Sequence, residues 1–382
     1  MCIIYDAVFV IWKTLKLKKK IWTNLPGSAT RILIVALIFL MGGSVDGVGA
    51  DIEEEQTVIV PVLAVSPVYW IQDAYATDSY VPVSSAVRGM VEVLIRELTG
   101  ETTPREGWKK LVKPGDRVGL KVDASGGAGG STRLAVIEAV LRGLESAGIS
   151  RTSVVIWDRE RAALNAAGIT SQRFGCKVYA SEEAYSQEFP FSSPVLGQLV
   201  YGDLDFKSES SVLDVMGSPD ALSSISYFPE FLKPLTKIIN LPVLKNNRYY
   251  GLHGALANVT IPNVDNWRRF VREPRHGASE IPEIYADPIL YGKCVLHLMD
   301  ALIVQYAGGP DFAPNYSFAH NSLYASRDPV SLDAVALEQL EIWRSQAELP
   351  SIEKMSAHVK ASEAFGLGNA AKKNIKIIRV KR

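Results

Sequence analysis

Three cysteines in 382 residues are too few for a disulfide framework, and no CxxC or HExxH spacing announces a metal centre. An iron–sulfur cluster normally takes four thiolates, so no intrinsic cluster is expected. Charge of one sign is missing too. Lysine plus arginine and aspartate plus glutamate both number 41, so the chain lacks the basic excess of a nucleic-acid binder and no nucleic-acid partner is expected. There is no GxSxG, no Gly-Lys-Ser/Thr phosphate loop and no GxGxxG in a convincing frame, which leaves serine hydrolysis and the common nucleotide cradles without support. No uninterrupted apolar run reaches the ~20 residues that span a bilayer.

The first 50 residues do carry a pattern. Lys16, Lys18, Lys19, Lys20 and Arg31 precede the apolar run Ile32–Met41, and Val48, Gly49 and Ala50 supply small residues at cleavage-site spacing. This reads as a secretory signal peptide over 1–50, with an export domain over 51–382. One arginine before the run, rather than a pair, favours the general export route. The expected location is periplasmic or extracellular, in a bacterium, with membrane contact only through this segment during export or if it stays uncleaved. Beyond it only Cys176 and Cys294 are left. They read best as small buried hydrophobes, and pairing in an oxidising compartment would need their Cα atoms within bridging range.

From residue 57 onward, apolar runs alternate with helical patterns. Thr57–Val65, Arg117–Val122, Ser153–Trp157, Cys176–Ala180, 237–241, Val295–Met299 and Ser322–Ser326 have strand character, and Ile375–Val380 reads as an edge strand. Helices are expected from Ser84 or Ser85 to Leu98, with Gly100 as stop; from Ser131 or Thr132 to Ala147; and from Pro329, capped by Asp328, through Trp343. Strand and helix in alternation predict an α/β fold: a mostly parallel sheet with helices on both faces. The rhythm breaks at about 182–234, a Ser- and Pro-rich stretch in which Leu199–Phe206 and Ser211–Met216 alternate like an antiparallel pair, so an antiparallel insertion is expected there.

In open α/β sheets ligands bind beyond the carboxyl ends of strands, and the polar residues of this chain collect at such ends. The stretch from Ile238, IINLPVLKNNRYYGLHGALAN, runs from a buried strand into Lys245, Asn247, His253 and Asn258. Lys121 and Asp123 close another strand, followed at once by a loop containing Gly126, Gly127, Gly129 and Gly130, whose amides read either as an anion cradle or as a connector. Asp300 is expected at the end of Val295–Met299. Asp333, an acid in a helix of small and apolar residues, invites a partner such as Lys245 or a histidine. His276 ends an arginine-rich segment containing Arg268, Arg269, Arg272 and Arg275.

NLPVLKNN, GLHGALAN, Arg275–His276, Asp300, Gly308–Pro310 and ASRDPVSLDAVALE at 325–338, with VKPGDRVGLKVD at 112–123, together resemble, in this order, domain-of-unknown-function family 362. The resemblance runs from about residue 58 to 345, and it implies no stated activity. Relatives commonly show Lys-Thr-His where this chain has Lys245, Asn246 and Asn247, and a lysine where it has Ala257. Some carry ferredoxin-like cysteine clusters, which this chain does not.

The residues support three readings. The first is an exported α/β protein binding a small anionic or cofactor-like ligand in the cleft, as a binder or as an enzyme of open reaction, with Lys245 and the glycine loop taking charge and His276 or His253 moving protons against Asp300. Lys121, Asp123, Asn247, Asn258 and Asp333 would complete that site. The second is a redox accessory protein using an external cofactor, suggested by the cluster-bearing relatives. The third is a noncatalytic interaction protein that keeps the fold with a degraded site. Two histidines and two or three carboxylates also have the makings of a hydrated metal site, but no spacing demands one.

Overall fold

The computed structural model describes residues 63–192, 225–265, 267–271 and 273–381. Its centre is a ten-stranded mixed sheet. In chain order the strands are β1 (Ser66–Gln72), β2 (Val118–Val122), β3 (Val154–Asp158) and β4 (Lys177–Ala180); then β5 (Tyr185–Ser192) and β6 (Ile225–Pro229), which pair only with each other; then β7 (Lys237–Leu241), β8 (Val243–Asn247), β9 (Gly251–His253), β10 (Cys294–Gln305), β11 (Ser317–Ser326) and β12 (Ile375–Val380). The main path runs β12-β1-β11-β10-β7-β2-β3-β4, and β8 joins β10 and carries β9. From β10 to β4 every neighbour is parallel; β11 is antiparallel to both β10 and β1.

Alternation along the strands divides the core. Leu120, Val122, Ile239, Leu241, Leu296 and Leu298 face one cluster, with helices α1 (Ser84–Thr99), α2 (Pro104–Leu111) and α3 (Leu134–Ser146). On the other side lies a second cluster, with helices α4 (Ala255–Thr260), α5 (Glu280–Tyr285), α6 (Pro329–Gln346) and α7 (His358–Ala364). The α/β class, with helices on both faces, is therefore observed. β5 and β6 form an antiparallel pair at the borders of the predicted insertion. The strands predicted at Leu199–Phe206 and Ser211–Met216 lie outside the described residues, as does the segment 1–50. Among the described residues no helix is long and apolar enough to cross a membrane.

Several boundaries differ from expectation. Among the described residues the first strand is Ser66–Gln72; Leu63–Val65 precede it without being part of it, and residues 57–62 of the predicted strand Thr57–Val65 lie outside the described residues. Neither Ser84 nor Ser85 caps α1: the N-cap is Val83, and both serines lie inside the helix. Helix α3 starts at Leu134, because the Thr132 hydroxyl is drawn into bonds with Asp123 N and Leu241 O. Asp328 does cap α6, accepting from Val330 N and Ser331 N. The edge strand β12 pairs only with β1.

The strand containing Asp300 is the largest departure. β10 does not stop at Met299 but runs to Gln305, because β11 folds back along it for ten residues, with a register shift between Ala301 and Ile303. Asp300 thus sits within a strand, not at its carboxyl end.

Candidate functional site

Strands β2 and β3 run parallel and end in register, which delivers Asp123 and Asp158 to the same edge of the sheet. Pro242 then separates β7 from β8: both run parallel to β10, but β8 no longer pairs with β2 as β7 does. The hairpin of β8 and β9 sets Lys245 directly opposite His253. Opposed residues on an antiparallel pair share a face, so the cation and the imidazole are held side by side. Gly251 makes that hairpin possible, with φ of 74° and no room for a Cβ against Ser356.

These residues build one buried cluster. Lys245 Nζ lies 3.0 Å from Asp123 Oδ1 and 2.8 Å from Oδ2, and also donates to Ser125 Oγ at 2.9 Å and to Gly130 O at 3.3 Å. Asp123 Oδ1 further accepts from Ser125 N and Oγ. Burial alone would raise the Asp123 pKa, but the Lys245 ammonium, then His253, and bonds from Lys245 and Ser125 hold it well below the usual carboxylate range. His253 Nε2 stands 3.3 Å from Asp123 Oδ2, and His253 Nδ1 is 2.8 Å from the Tyr250 hydroxyl. Burial lowers the imidazole to about 4, so it is neutral at pH 7. Among the described residues neither Asp123 Oδ2 nor His253 Nε2 has a partner in hydrogen-bond geometry.

Beside it lies a second buried ion pair. Lys121 Nζ donates to Asp158 Oδ1 at 2.7 Å, Val122 O at 2.6 Å and Asn258 Oδ1 at 3.2 Å, which uses all three ammonium hydrogens. Its pKa is lowered by burial, against the pull of Asp158. From Asn258 a polar seam crosses the sheet along one register row, in which Lys121 pairs with Asn240 and Asn240 with His297. Asn258 Nδ2 donates to Asn240 Oδ1 at 2.7 Å; Asn240 Nδ2 donates to Ala255 O at 2.7 Å and faces His297 Nδ1 at 3.0 Å. Because an ammonium only donates, it fixes both amide orientations, leaves His297 Nδ1 as an acceptor and puts the His297 proton on Nε2.

A cleft of about 210 Å³ opens over this cluster, lined in part by Asp123, Ser125, Asp158, Asn247, Tyr250 and His253. Its rim carries Arg159, Arg248 and Arg268. Arg159 lies 4.3 Å from the Trp267 ring centre, Arg268 5.2 Å from the same ring, and Arg248 5.0 Å from Tyr249.

The structure thus brings together Lys121, Asp123, Lys245, Asn247, His253 and Asn258. Asn247 lines the cleft while its Oδ1 accepts from Tyr249 N, shaping the turn. The other predicted residues stand elsewhere. His276, at φ 51°, donates from Nδ1 to Tyr249 O at 2.8 Å, behind the wall rather than in it. Asp300 is fully buried and accepts from Arg133 N and Leu302 N. Asp333 meets neither Lys245 nor a histidine. Its oxygens accept from Ala255 N at 2.5 Å and Leu256 N at 2.9 Å, holding the start of α4, and a Cβ at Gly254 would run into them. Lys245 faces Asp123, an anion of the chain itself. The glycine loop spends Gly127 N and Gly130 N on Ala124 O and Gly126 O. A Cβ at Gly126 would come within 2.5 Å of the Gly130 backbone and one at Gly129 would strike Phe312, so close packing explains these glycines.

Asp158, Tyr250, Asn240 and His297 were not singled out from sequence. Asp158 had a usable signal, since it ends its strand as Asp123 does. Among the described residues no group of three or more His, Cys, Asp or Glu side chains is placed to hold a metal ion, and Cys176 and Cys294 are both free.

Comparison with known proteins places the chain by sequence. No curated protein sequence matches it. Two solved structures are similar in part. A Thermotoga maritima protein from a structural genomics effort aligns at 12% identity and TM-score 0.36, over 64% of this chain and 58% of its own. The lactate racemase apoprotein of Thermoanaerobacterium thermosaccharolyticum aligns at 11% identity and TM-score 0.38, over 67% of this chain and 55% of its own. The chain spans little more than half the length of either, and similarity at this level carries no argument about chemistry. The model of domain of unknown function 362 matches residues 118–338, which take in β2 through most of α6 and with them every residue of the buried cluster. The chain belongs to the domain-of-unknown-function family 362.

Proposed function

We propose that the cleft binds a small organic anion bearing a hydroxyl group, with His253 donating a hydrogen bond to that hydroxyl and Asp123 accepting one from it. One observation carries this reading: Asp123 Oδ2 and His253 Nε2 stand side by side at 3.3 Å; Nε2 has no hydrogen-bond partner among the described residues, and Oδ2, met by the Lys245 ammonium at 2.8 Å, keeps a second lone pair for a donor. An unsatisfied polar atom in a buried setting costs on the order of 1–3 kcal/mol, so an unpartnered imidazole nitrogen beside a carboxylate oxygen with spare capacity is matched to something that binds. The ionised Asp123 favours the imidazole proton on Nε2, with the Tyr250 hydroxyl donating to Nδ1. A donor beside an acceptor is the complement of a hydroxyl, which accepts from Nε2–H and donates to Oδ2. Lys245 keeps Asp123 ionised, and the rim arginines, of which Arg159 is shared with Glu160 and Arg248 with Asp311, supply positive charge for the anionic end. The cleft is smaller than the ~300–1,000 Å³ of sites for drug-sized ligands, which suits a small metabolite. The leader-like segment 1–50 supports export of this activity.

The test is histidine ¹⁵N NMR with glycolate, which carries both groups, against acetate, which lacks the hydroxyl. Glycolate is expected to shift the His253 ring nitrogens and raise its pKa from about 4, with acetate at least about tenfold weaker, equivalent to roughly 1.4 kcal/mol. Lys245→Met should erase the difference. An equal response to both acids, or none from His253, rejects the reading. Export is checked separately by the N-terminal sequence of the protein recovered from cells, expected to begin near residue 51.

A further inference from the structure

A larger cavity, of about 660 Å³, lies at the other end of the sheet. Its lining takes in Ser66 and Pro67 at the start of β1, Cys294 at the start of β10 and Ser326 at the end of β11. Strand β11 is antiparallel to both β1 and β10, so all four residues mark the amino-terminal edge of β10. The cleft over Asp123 and Lys245 is at the opposite, carboxyl-terminal edge. The two are therefore separate sites.

We infer that this amino-end cavity is a second ligand site, for an organic acid with an apolar body. Its walls are apolar and phenolic: Leu98 and Leu367 on one hand, Tyr69, Tyr285 and Tyr291 on the other. Its volume is within the usual range for small-molecule sites, which are mostly apolar with a few placed polar groups. Charge gives the sign of the ligand. Lys110 and Arg327 line the cavity; Lys110 is shared with Glu101 at 3.2 Å, whereas Arg327 forms no ion pair among the described residues.

Asp328, the acid in the lining, is already consumed. It accepts from Ser66 Oγ at 2.6 Å, Val330 N at 2.8 Å, Ser331 N at 3.0 Å, Ser331 Oγ at 2.8 Å and Asn369 N at 2.9 Å. A carboxylate has about four lone-pair sites, so it has none left for a ligand. What the cavity offers a newcomer is the Arg327 guanidinium over an apolar, phenol-edged space. An alkyl or aryl carboxylate satisfies both, placing its head on Arg327 and its body against the leucines and tyrosine rings.

The experiment is isothermal titration of the full chain with octanoate, kept below its micelle concentration, and with 1-octanol and glycolate as comparisons. Octanoate is expected to bind one site, at least tenfold tighter than octanol, and glycolate is expected not to displace it. Arg327→Gln, an exposed change that leaves the fold intact, should weaken octanoate about tenfold, down to the level of octanol. Leu98→Trp, which fills the cavity, should abolish binding of both while leaving the circular dichroism spectrum unchanged. Absence of octanoate binding by the full chain overturns the proposal, as does equal binding of octanoate and octanol with no effect of Arg327→Gln. Displacement by glycolate would put octanoate in the cleft and overturn it as well.

Discussion

Buried and half-buried aspartates occur in two kinds of seat in this protein, and the contrast between them separates support from chemistry. Asp300, Asp328 and Asp333 have their oxygens taken up by backbone amides: Arg133 and Leu302, Val330, Ser331 and Asn369, Ala255 and Leu256. Each ties a chain turn or a helix start to another element. Asp123 and Asp158 each add to one backbone amide, Ser125 N and Ala124 N, a lysine ammonium at the carboxyl edge of the parallel strands, and Asp123 Oδ2, beside Lys245 at 2.8 Å, stands next to an unpartnered imidazole nitrogen. Amide-bound carboxylates build the frame. Of the lysine-bound pair, Asp158 has both oxygens engaged, by Lys121 and Ala124 N, and it is at Asp123 that the frame leaves polar capacity for a ligand.

The strongest way to break this contrast is to unpair one seat of each kind. Lys245→Met strands a buried carboxylate and should cost about 3–5 kcal/mol in urea unfolding, whereas the double change Lys245→Met with Asp123→Asn should recover much of it. Asp333→Ala strands two amide donors at the start of α4 and should cost roughly 2–4 kcal/mol, with Asp333→Asn in between. If Asp333 is structural only, glycolate affinity of Asp333→Asn stays unchanged; a large loss there would merge the two classes.

Acid sharpens the comparison through the histidines. Burial lowers His253 and His320 to about 4 and His297 and His358 to about 3, below the 6.5 of an unfolded chain. Between those values the unfolded state binds more protons, so stability is full above about pH 6.5 and falls as pH drops toward 4 and 3. Asp333 runs the other way: burial raises it to about 7 from 3.8, so its contribution declines as pH rises through that interval. Melting temperature is expected to fall several degrees from pH 6.5 to 4, and His358→Leu to flatten that slope, since both its nitrogens are buried without partners among the described residues. A slope unchanged by His358→Leu would assign the acid loss elsewhere. The smallest effect is expected from Tyr250→Phe, about 1 kcal/mol, read most clearly as a change in the His253 ring ¹⁵N shifts.

How far the sequence went can be judged residue by residue. Lys121, Asp123, Lys245, His253 and Asn258 were found because each is polar and closes or follows an apolar run, a pattern local to the chain, although Lys245 lies inside β8 and Asn258 inside α4. Asp300 was misplaced for the same reason: a strand's end was read from its apolar run, but β10 continues because β11 pairs with it, and that pairing is not local. His276 was singled out on the strength of the family-like Arg275–His276 pattern, yet its ring bonds Tyr249 O from behind the cleft wall. Asn240 and His297 look like ordinary strand residues until three strands are in register.

The sequence by itself determined the layered α/β plan, because strand and helix periods and their alternation are properties of short segments. It also put the right cations and acids at strand ends. Only the tertiary structure decided which acid meets which base. Lys245 reaches Asp123 across 122 positions and Asp333 reaches Ala255 across 78, and such partners are chosen by strand order and register, which no local pattern encodes.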